Sequence, residues 1–240
     1  VSVVNAIILA GGKGSRLEPW YAPKCLLPIN GVPILYRQID QLYRGSYMNG
    51  SHTVSKFILC TGYRAQDVKN AVYQLVWTSL GVYAIEFVDS GEDTPMGQRL
   101  FDVQKFADSR VIILYGDELA DVDICKLVAQ HERQKNQITF AAAQAKSIGG
   151  TVQVSPDFEM DEPNENASVR IIDEEARWVN IGFAVVEPEC WEKLKSEDGL
   201  SDWINRVSDE PGAVGIYYHH GKRATVNSLA DLRYAEEMWR

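Results

Sequence analysis

The segment "AIILAGGKGSRL", Ala6 to Leu17, constrains this chain more than any other stretch. An uninterrupted apolar run from Ala6 to Ala10 reads as a buried strand, and Gly11, Gly12 and Gly14 then open the chain into a loop. Without side chains in the way, the backbone N–H groups of such a turn can approach an anion closely. The strand is therefore expected to deliver a phosphate-binding loop to a site.

The rest of the chain supports an α/β fold. Short apolar strands, near residues 5–10, 56–61, 83–88 and 110–115, alternate with amphipathic stretches at 34–43, 65–80, 97–107 and 121–134. This alternation predicts a Rossmann-like mixed, mainly parallel sheet flanked by helices. "QITFAAAQA" returns as a strand, and strands near 151–154 and 169–172 flank the polar run "SPDFEMDEPNENAS", read as an exposed hairpin or excursion. "WVNIGFAVVEP" is a long buried strand, with helices expected from about Glu189 and Leu200, strands near 215–218 and 224–226, and a closing helix at 229–239 that starts with capping residues in "NSLAD". No repeat or low-complexity linker divides the chain, so one domain over 1–240 is expected.

Composition excludes several classes. A formal charge of −9 and the lack of a basic stripe argue against a nucleic-acid binder. Cys25, Cys60, Cys125 and Cys190 are widely spaced, which supports neither a disulfide framework nor a zinc cluster and fits a reducing cytoplasm. The apolar runs are too short to span a bilayer, and no charged-then-apolar leader pattern is present, so no membrane association is expected.

Two familiar phosphate loops fail at identifiable positions. A dinucleotide fingerprint lacks its third glycine, because Gly14 is followed by Ser15, Arg16 and Leu17, and "FILCTGY" ends without the usual acidic residue. That disfavours a dinucleotide-dependent oxidoreductase. A P-loop would need Ser or Thr after Lys13, where Gly14 stands. What remains is a nest of amides with Arg16 and, after a short excursion, Lys24 in "APKCLLPINGVPIL", and two cations beside one such nest suit a polyphosphate.

Taken together, "LAGGKGSRL…APKCLLPINGVPIL" resembles the signature of the nucleotidyltransferases that activate sugar phosphates. The likeness is greatest to the glucose-1-phosphate cytidylyltransferases, through "FVDSGEDTPMGQRL", "ILYGDELADVDICKLVAQH", "VNIGFAVVEP" and "TVNSLADLRYAEEMW". It covers nearly the whole chain and is weakest over 144–177. The resemblance implies a reaction of an NTP, CTP favoured, with a phosphorylated small molecule, a sugar 1-phosphate above all, giving an activated product and pyrophosphate with Mg²⁺. It implies an NTP-binding N-terminal half and an acceptor-binding C-terminal half, and is compatible with a homo-oligomer. By motif, Leu9, Ala10, Gly11, Gly12, Lys13 and Gly14 hold base and phosphates, with Asp89, Thr94, Gly97 and Arg99 framing the nucleotide. Arg16, Lys24 and Asp117 are the catalytic set, Asp117 and Asn227 the metal positions, and Asn180, Arg177 and Gly150 face the acceptor.

The chemistry suits these residues. A phosphomonoester carries roughly −1.5 to −2 charges at neutral pH and can attack an α-phosphorus without a general base, so fixed cations, amides and a metal suffice. Two departures stand out. Asn227 occupies the position of the family's second metal-binding Asp and offers only a neutral carbonyl oxygen, or else caps the last helix. The family's Glu-Lys-Pro is missing, leaving Arg170 and Arg177 to meet an acceptor phosphate, which opens the way to a phosphocholine-like acceptor. A nucleotide-binding homologue with weak catalysis is the reading that Asn227 motivates. Trp20 and Trp178 stand where they could line an acceptor pocket; His219 and His220 read as a strand end rather than a metal site.

Overall fold

The computed structural model describes residues 2–14, 22–49, 52–78, 84–145, 151–154, 169–172 and 177–240. Its strands are β1 (Ser2–Leu9), β2 (Pro28–Ile29), β3 (Val32–Pro33), β4 (His52–Thr61), β5 (Ala84–Asp89), β6 (Val111–Tyr115), β7 (Glu118–Ala120), β8 (Ile138–Ala145), β9 (Thr151–Val154), β10 (Val169–Ile172), β11 (Arg177–Val186), β12 (Val214–His219) and β13 (Arg223–Thr225). The helices are α1 (Ile34–Asn49), α2 (Ala65–Thr78), α3 (Met96–Val103), α4 (Ile124–Gln134), α5 (Leu200–Ser208) and α6 (Leu229–Met238). The helix expected from about Glu189 is a 3-10 turn over Pro188–Lys193, and the one expected from residue 121 starts at Ile124, because Asp123 caps it by accepting from the Lys126 N–H.

Seven strands form one sheet in the order β12, β8, β11, β6, β1, β4, β5. Every neighbouring pair is parallel except the two made by β11, which runs against both β6 and β8. β1 sits inside this sheet, and its Ala6, Ile7 and Ile8 are fully buried, as the unbroken apolar run requires of a strand covered on both faces. α1, α2 and α4 cover one face through Leu35, Leu42, Val68, Val72 and Leu127; α3 and α5 cover the other through Leu100, Val103, Trp203 and Val207. Because β1, β4, β5 and β6 are parallel, Leu9, Thr61, Asp89 and Tyr115 all end at one edge, where the connecting loops gather.

A third, smaller core lies beside that edge. The β2–β3 and β7–β13 pairs, with α6, bring together Leu27, Ile29, Ile34, Leu119, Ala224, Val226, Leu232 and Ala235. This packing fixes the segment after Lys24 against the segments around Asp117 and Asn227. The strands expected around the polar excursion pair antiparallel as β9 and β10, and the residues between them lie outside those described.

Candidate active site

The glycine loop is held from below by the strand ends on either side. Ala10 N–H donates to Cys60 O, Gly116 N–H to Leu9 O, and Tyr63 N–H to Gly11 O, at 2.8, 3.1 and 3.2 Å. Leu9, Ala10, Gly11, Gly12 and Lys13 then line a cavity of about 510 Å³, together with Lys24, Cys25, Glu92, Asp93, Thr94, Met96, Arg99, Tyr115, Gly116 and Asp117. A volume of that order suits a drug-sized ligand. A side chain at Gly12 would stand in open space, whereas one at Gly11 would lie 2.0 Å from Arg99 Nη1, so Gly11 is glycine to let a guanidinium pass.

Arg99 is a brace for the site. Its Nε donates to Thr94 O, Nη1 to Thr61 O, and Nη2 to Gly91 O and Glu92 O, at distances of 2.7–3.2 Å. The side chain is 7% exposed, and burial holds its pKa below the ordinary arginine value. One buried cation thus ties the carboxyl end of β4 to the 91–94 turn. Thr94 Oγ1 donates to Ser90 O in the same turn.

Lys13 bridges the cavity mouth. Its ammonium lies 2.7 Å from Asp93 and 2.9 Å from Glu92, and those partners raise its pKa. The pairs are exposed, so the clasp is weak and screened by salt.

Lys24, Asp117 and Asn227 meet at one point. Lys24 Nζ donates to Asp117 Oδ2 at 2.5 Å and to Asn227 Oδ1 at 2.6 Å. The lysine side chain is only 11% exposed. Two oxygens from distant segments therefore converge on a single cation-sized position, the geometry that a hard divalent ion with few protein ligands uses. Asn227 does not cap the last helix: Ser228 accepts from Asp231 N–H, and Asp231 accepts from the Asn227 N–H and the Ser228 hydroxyl. That capping pattern leaves the Asn227 side chain to face Lys24.

Sequence reasoning did not single out Glu118 or Tyr115. Glu118 follows Asp117 and is 5% exposed, and burial pushes its pKa up to about 7. Thr225 Oγ1 donates to its Oε1 at 2.6 Å, while Oε2 has no hydrogen-bond partner among the described residues. Tyr115 ends β6, and its phenol is driven up to about 12 by burial next to Asp117 and Glu118. The signal for both was their position around "YGDE" at a strand end. Cys25 lines the cavity, but burial raises its thiol to about 12, which removes it as a nucleophile at neutral pH.

Besides Asn227, four described positions among those expected sit elsewhere than on the cavity wall. Asp89 accepts from the Gly91 N–H and so shapes the turn after β5. Gly97 packs α3 on the 196–198 segment, where a side chain would come within 2.2 Å of Asp198 O. Asn180 lies on β11 and accepts from the Gly182 N–H at 2.9 Å, stabilising the irregularity that separates it from Ala184. Gly14 follows the loop with a φ of +65°. Arg16 and Gly150 lie outside the described residues, as does the side chain of Arg177.

A family model described as the MobA-like NTP transferase domain matches residues 6–209. The chain belongs to this family. It is 26% identical to the probable glucose-1-phosphate cytidylyltransferase of Bacillus subtilis (strain 168), over 98% of this chain and 96% of that protein. To the glucose-1-phosphate cytidylyltransferase of Salmonella typhi it is 25% identical, with the same two coverages. Among solved structures, a putative glucose-1-phosphate thymidylyltransferase from Bacillus anthracis, in complex with a sucrose, superposes with a TM-score of 0.74 at 18% identity, over 98% of this chain and 94% of that one. That likeness shows the NTP transferase fold. Within the fold, the glycine loop after β1 and the Asp117 turn after β6 occupy neighbouring strand ends, and the antiparallel β11 lies on the far side of β6. No described helix of this NTP transferase domain is long and apolar enough to cross a membrane.

Proposed function

We propose that this NTP transferase moves the nucleoside monophosphate of an NTP, CTP being the favoured donor, onto a sugar 1-phosphate and releases pyrophosphate. The observation that carries this reading is the convergence of Asp117 and Asn227 on the Lys24 ammonium in the cavity that the glycine loop lines. Cytidine and sugar come from the names of the full-length relatives and from the likeness of "VDSGEDTPMGQRL" to their family. The N-terminal half supplies the NTP site, and β11 with its neighbours the acceptor side. Cys25, Cys60, Cys125 and Cys190 form no disulfide, which is compatible with a reducing cytoplasm.

An oxygen of the acceptor phosphate forms a bond to the α-phosphorus. The bond from that phosphorus to the oxygen bridging to the β-phosphorus breaks, and pyrophosphate leaves with that oxygen and its electron pair. No proton has to be removed from the nucleophile, so the site needs cations rather than a base. Lys24 sits on the cavity wall to meet the triphosphate, with Arg16 as its proposed partner. Gly12 leaves the loop open for close approach of phosphate oxygens. Asp117 and Asn227 would hold Mg²⁺, which neutralises charge on the triphosphate and departing pyrophosphate when bound.

The test is pyrophosphate release across a grid of four NTPs and a panel of hexose 1-phosphates, with phosphocholine included. Release is expected only when an NTP and a phosphomonoester are both present, greatest with CTP and a hexose 1-phosphate. NTP binding by calorimetry without release anywhere on the grid, even in Asn227→Asp, would replace this reading with that of a nucleotide-binding homologue.

A further inference from the structure

One buried polar side chain interrupts the apolar face of α1. Leu35, Ile39 and Leu42 of that helix are buried in the core, and Gln38, at a spacing of three or four from each, is 1% exposed. Its Nε2 donates to Tyr115 O and to Glu118 O, both at 2.7 Å. Carbonyl oxygens only accept, so the amide is turned with its NH₂ toward them. Its Oε1 is left buried and without a hydrogen-bond partner among the described residues. A leucine would fill this place and orphan no oxygen, so what offsets the cost is the pair of bonds that the amide makes.

Those two carbonyls flank Asp117. Tyr115 ends β6 and Glu118 begins β7, so Gln38 grips the turn on both sides of the aspartate. Asp117 O itself accepts from the Val226 N–H at 3.0 Å. Carbonyls alternate in direction along a strand, and with this one turned toward β13, Glu118 O points away from β13, where Gln38 meets it. Gly116 closes the turn against β1: its N–H donates to Leu9 O, and a side chain there would come within 2.7 Å of the same oxygen. One turn further along α1, Gln41 Nε2 donates to Val122 O at 2.9 Å.

The same helix is tied to the segment that carries Lys24. Leu27 N–H donates to Lys24 O and Ile34 N–H to Leu27 O, each at 3.1 Å, and Arg37 Nη2 donates to Ile29 O at 2.7 Å. A run of hydrogen bonds therefore leads from the Lys24 main chain, through the first turn of α1, to both sides of Asp117. The side chains at its two ends meet on the cavity wall. Lys24 and Asp117 are 93 positions apart in the chain, yet one short stretch of helix spaces them.

We infer that Gln38 is a positioning residue: by holding the carbonyls on either side of Asp117, it sets that carboxylate at the reach of Lys24, with α1 as the spacer between them. Its consequence for turnover rests on the reaction proposed above, whereas the positioning itself is measured on the full chain without metal or nucleotide. A double-mutant cycle of Lys24→Met and Asp117→Ala, followed by urea denaturation, gives the coupling between the two side chains. In a Gln38→Met background that coupling is expected to fall by about half or more, and in Gln38→Asn, which keeps an amide of shorter reach, by less. A loss of helix stability alone would lower all four corners of the cycle alike. Ile39→Val supplies that control, since it trims the same helix without touching the turn, and is expected to leave the coupling in place. In steady-state kinetics, Gln38→Met is expected to lower kcat roughly tenfold with KM for CTP within about twofold, while Ile39→Val keeps the wild-type kcat. Should Gln38→Met fail to fold, Gln38→Asn carries both measurements. No measurable coupling in the wild type, a coupling unchanged in the Gln38 variants, or an equal fall in Ile39→Val would overturn the assignment. A coupling that falls as expected in a protein that releases no pyrophosphate from any NTP would refute the reaction and leave the role of Gln38 standing.

Discussion

Lys24 Nζ and Asn227 Oδ1 lie 203 positions apart in the chain and 2.6 Å apart in space. With Asp117 on the same ammonium, the lysine already occupies the point on which the two oxygens converge. In the proposed reaction Lys24 and a divalent ion would compete for one position until a triphosphate gave the lysine another partner.

Removing Lys24 should separate these roles. Lys24→Ala is expected to lower kcat by roughly 10²–10³ fold, the cost of losing one preorganised charge at a developing anion. The same variant should bind Mn²⁺ more tightly than wild type without nucleotide, as read by electron paramagnetic resonance. Asn227→Asp adds a charge to the same pair and is expected to reduce the Mg²⁺ concentration for half-maximal activity several-fold.

Arg99 acts through the backbone it holds. Arg99→Met removes the guanidinium donors from the carbonyls of Thr61, Gly91, Glu92 and Thr94, of which Thr61 O keeps the Ser90 N–H, and is expected to cost about 2–4 kcal/mol by urea denaturation. KM for the NTP should rise with it, because the 91–94 turn forms part of the cavity wall. An unchanged denaturation midpoint would show that these carbonyls find other partners.

Glu118 makes stability depend on pH. Its folded pKa of about 7 lies above the ordinary carboxylate value, so the folded state keeps a proton that the unfolded chain releases. Its contribution is fully present below about pH 4.5 and is lost as pH rises through about 7. The loss amounts to about 3 kcal/mol at most. Glu118→Gln is neutral throughout, so its thermal midpoint should change less than that of wild type between pH 5 and 8 and exceed it at the alkaline end.

The Lys13 clasp should matter for ligand rather than for fold. Neutralising both partners, in Glu92→Gln with Asp93→Asn, removes two negative charges from the cavity mouth. NTP affinity by calorimetry is expected to rise several-fold at low ionic strength and to converge on the wild-type value in high salt. The thermal midpoint should stay within about 1 °C.

The sequence carried the architecture well, for reasons visible at particular residues. Ala6 to Ala10 could only be a doubly covered strand, and the glycines after it could only form a loop at that strand's end. The direction of β11 was not legible, since a buried apolar strand looks the same whichever way it runs. Asn227 was ambiguous because a cap and a ligand use the same side-chain oxygen; the next residue, Ser228, turned out to take the cap. Arg99 could not be read as a brace, because its acceptors are main-chain carbonyls that share no sequence signal. Asp89 shapes a turn and Gly97 a helix contact, and neither role leaves a signal that separates it from ligand binding in the sequence.

The small core around Leu27, Leu119, Val226 and Leu232 also has a consequence for how the protein is made. Lys24 and Asp117 leave the ribosome long before Asn227 and α6, which supply the remaining partner and much of that core. The meeting of Lys24, Asp117 and Asn227 is therefore completed at the end of synthesis, and a nascent chain stalled before residue 227 would carry Lys24 and Asp117 without their third partner.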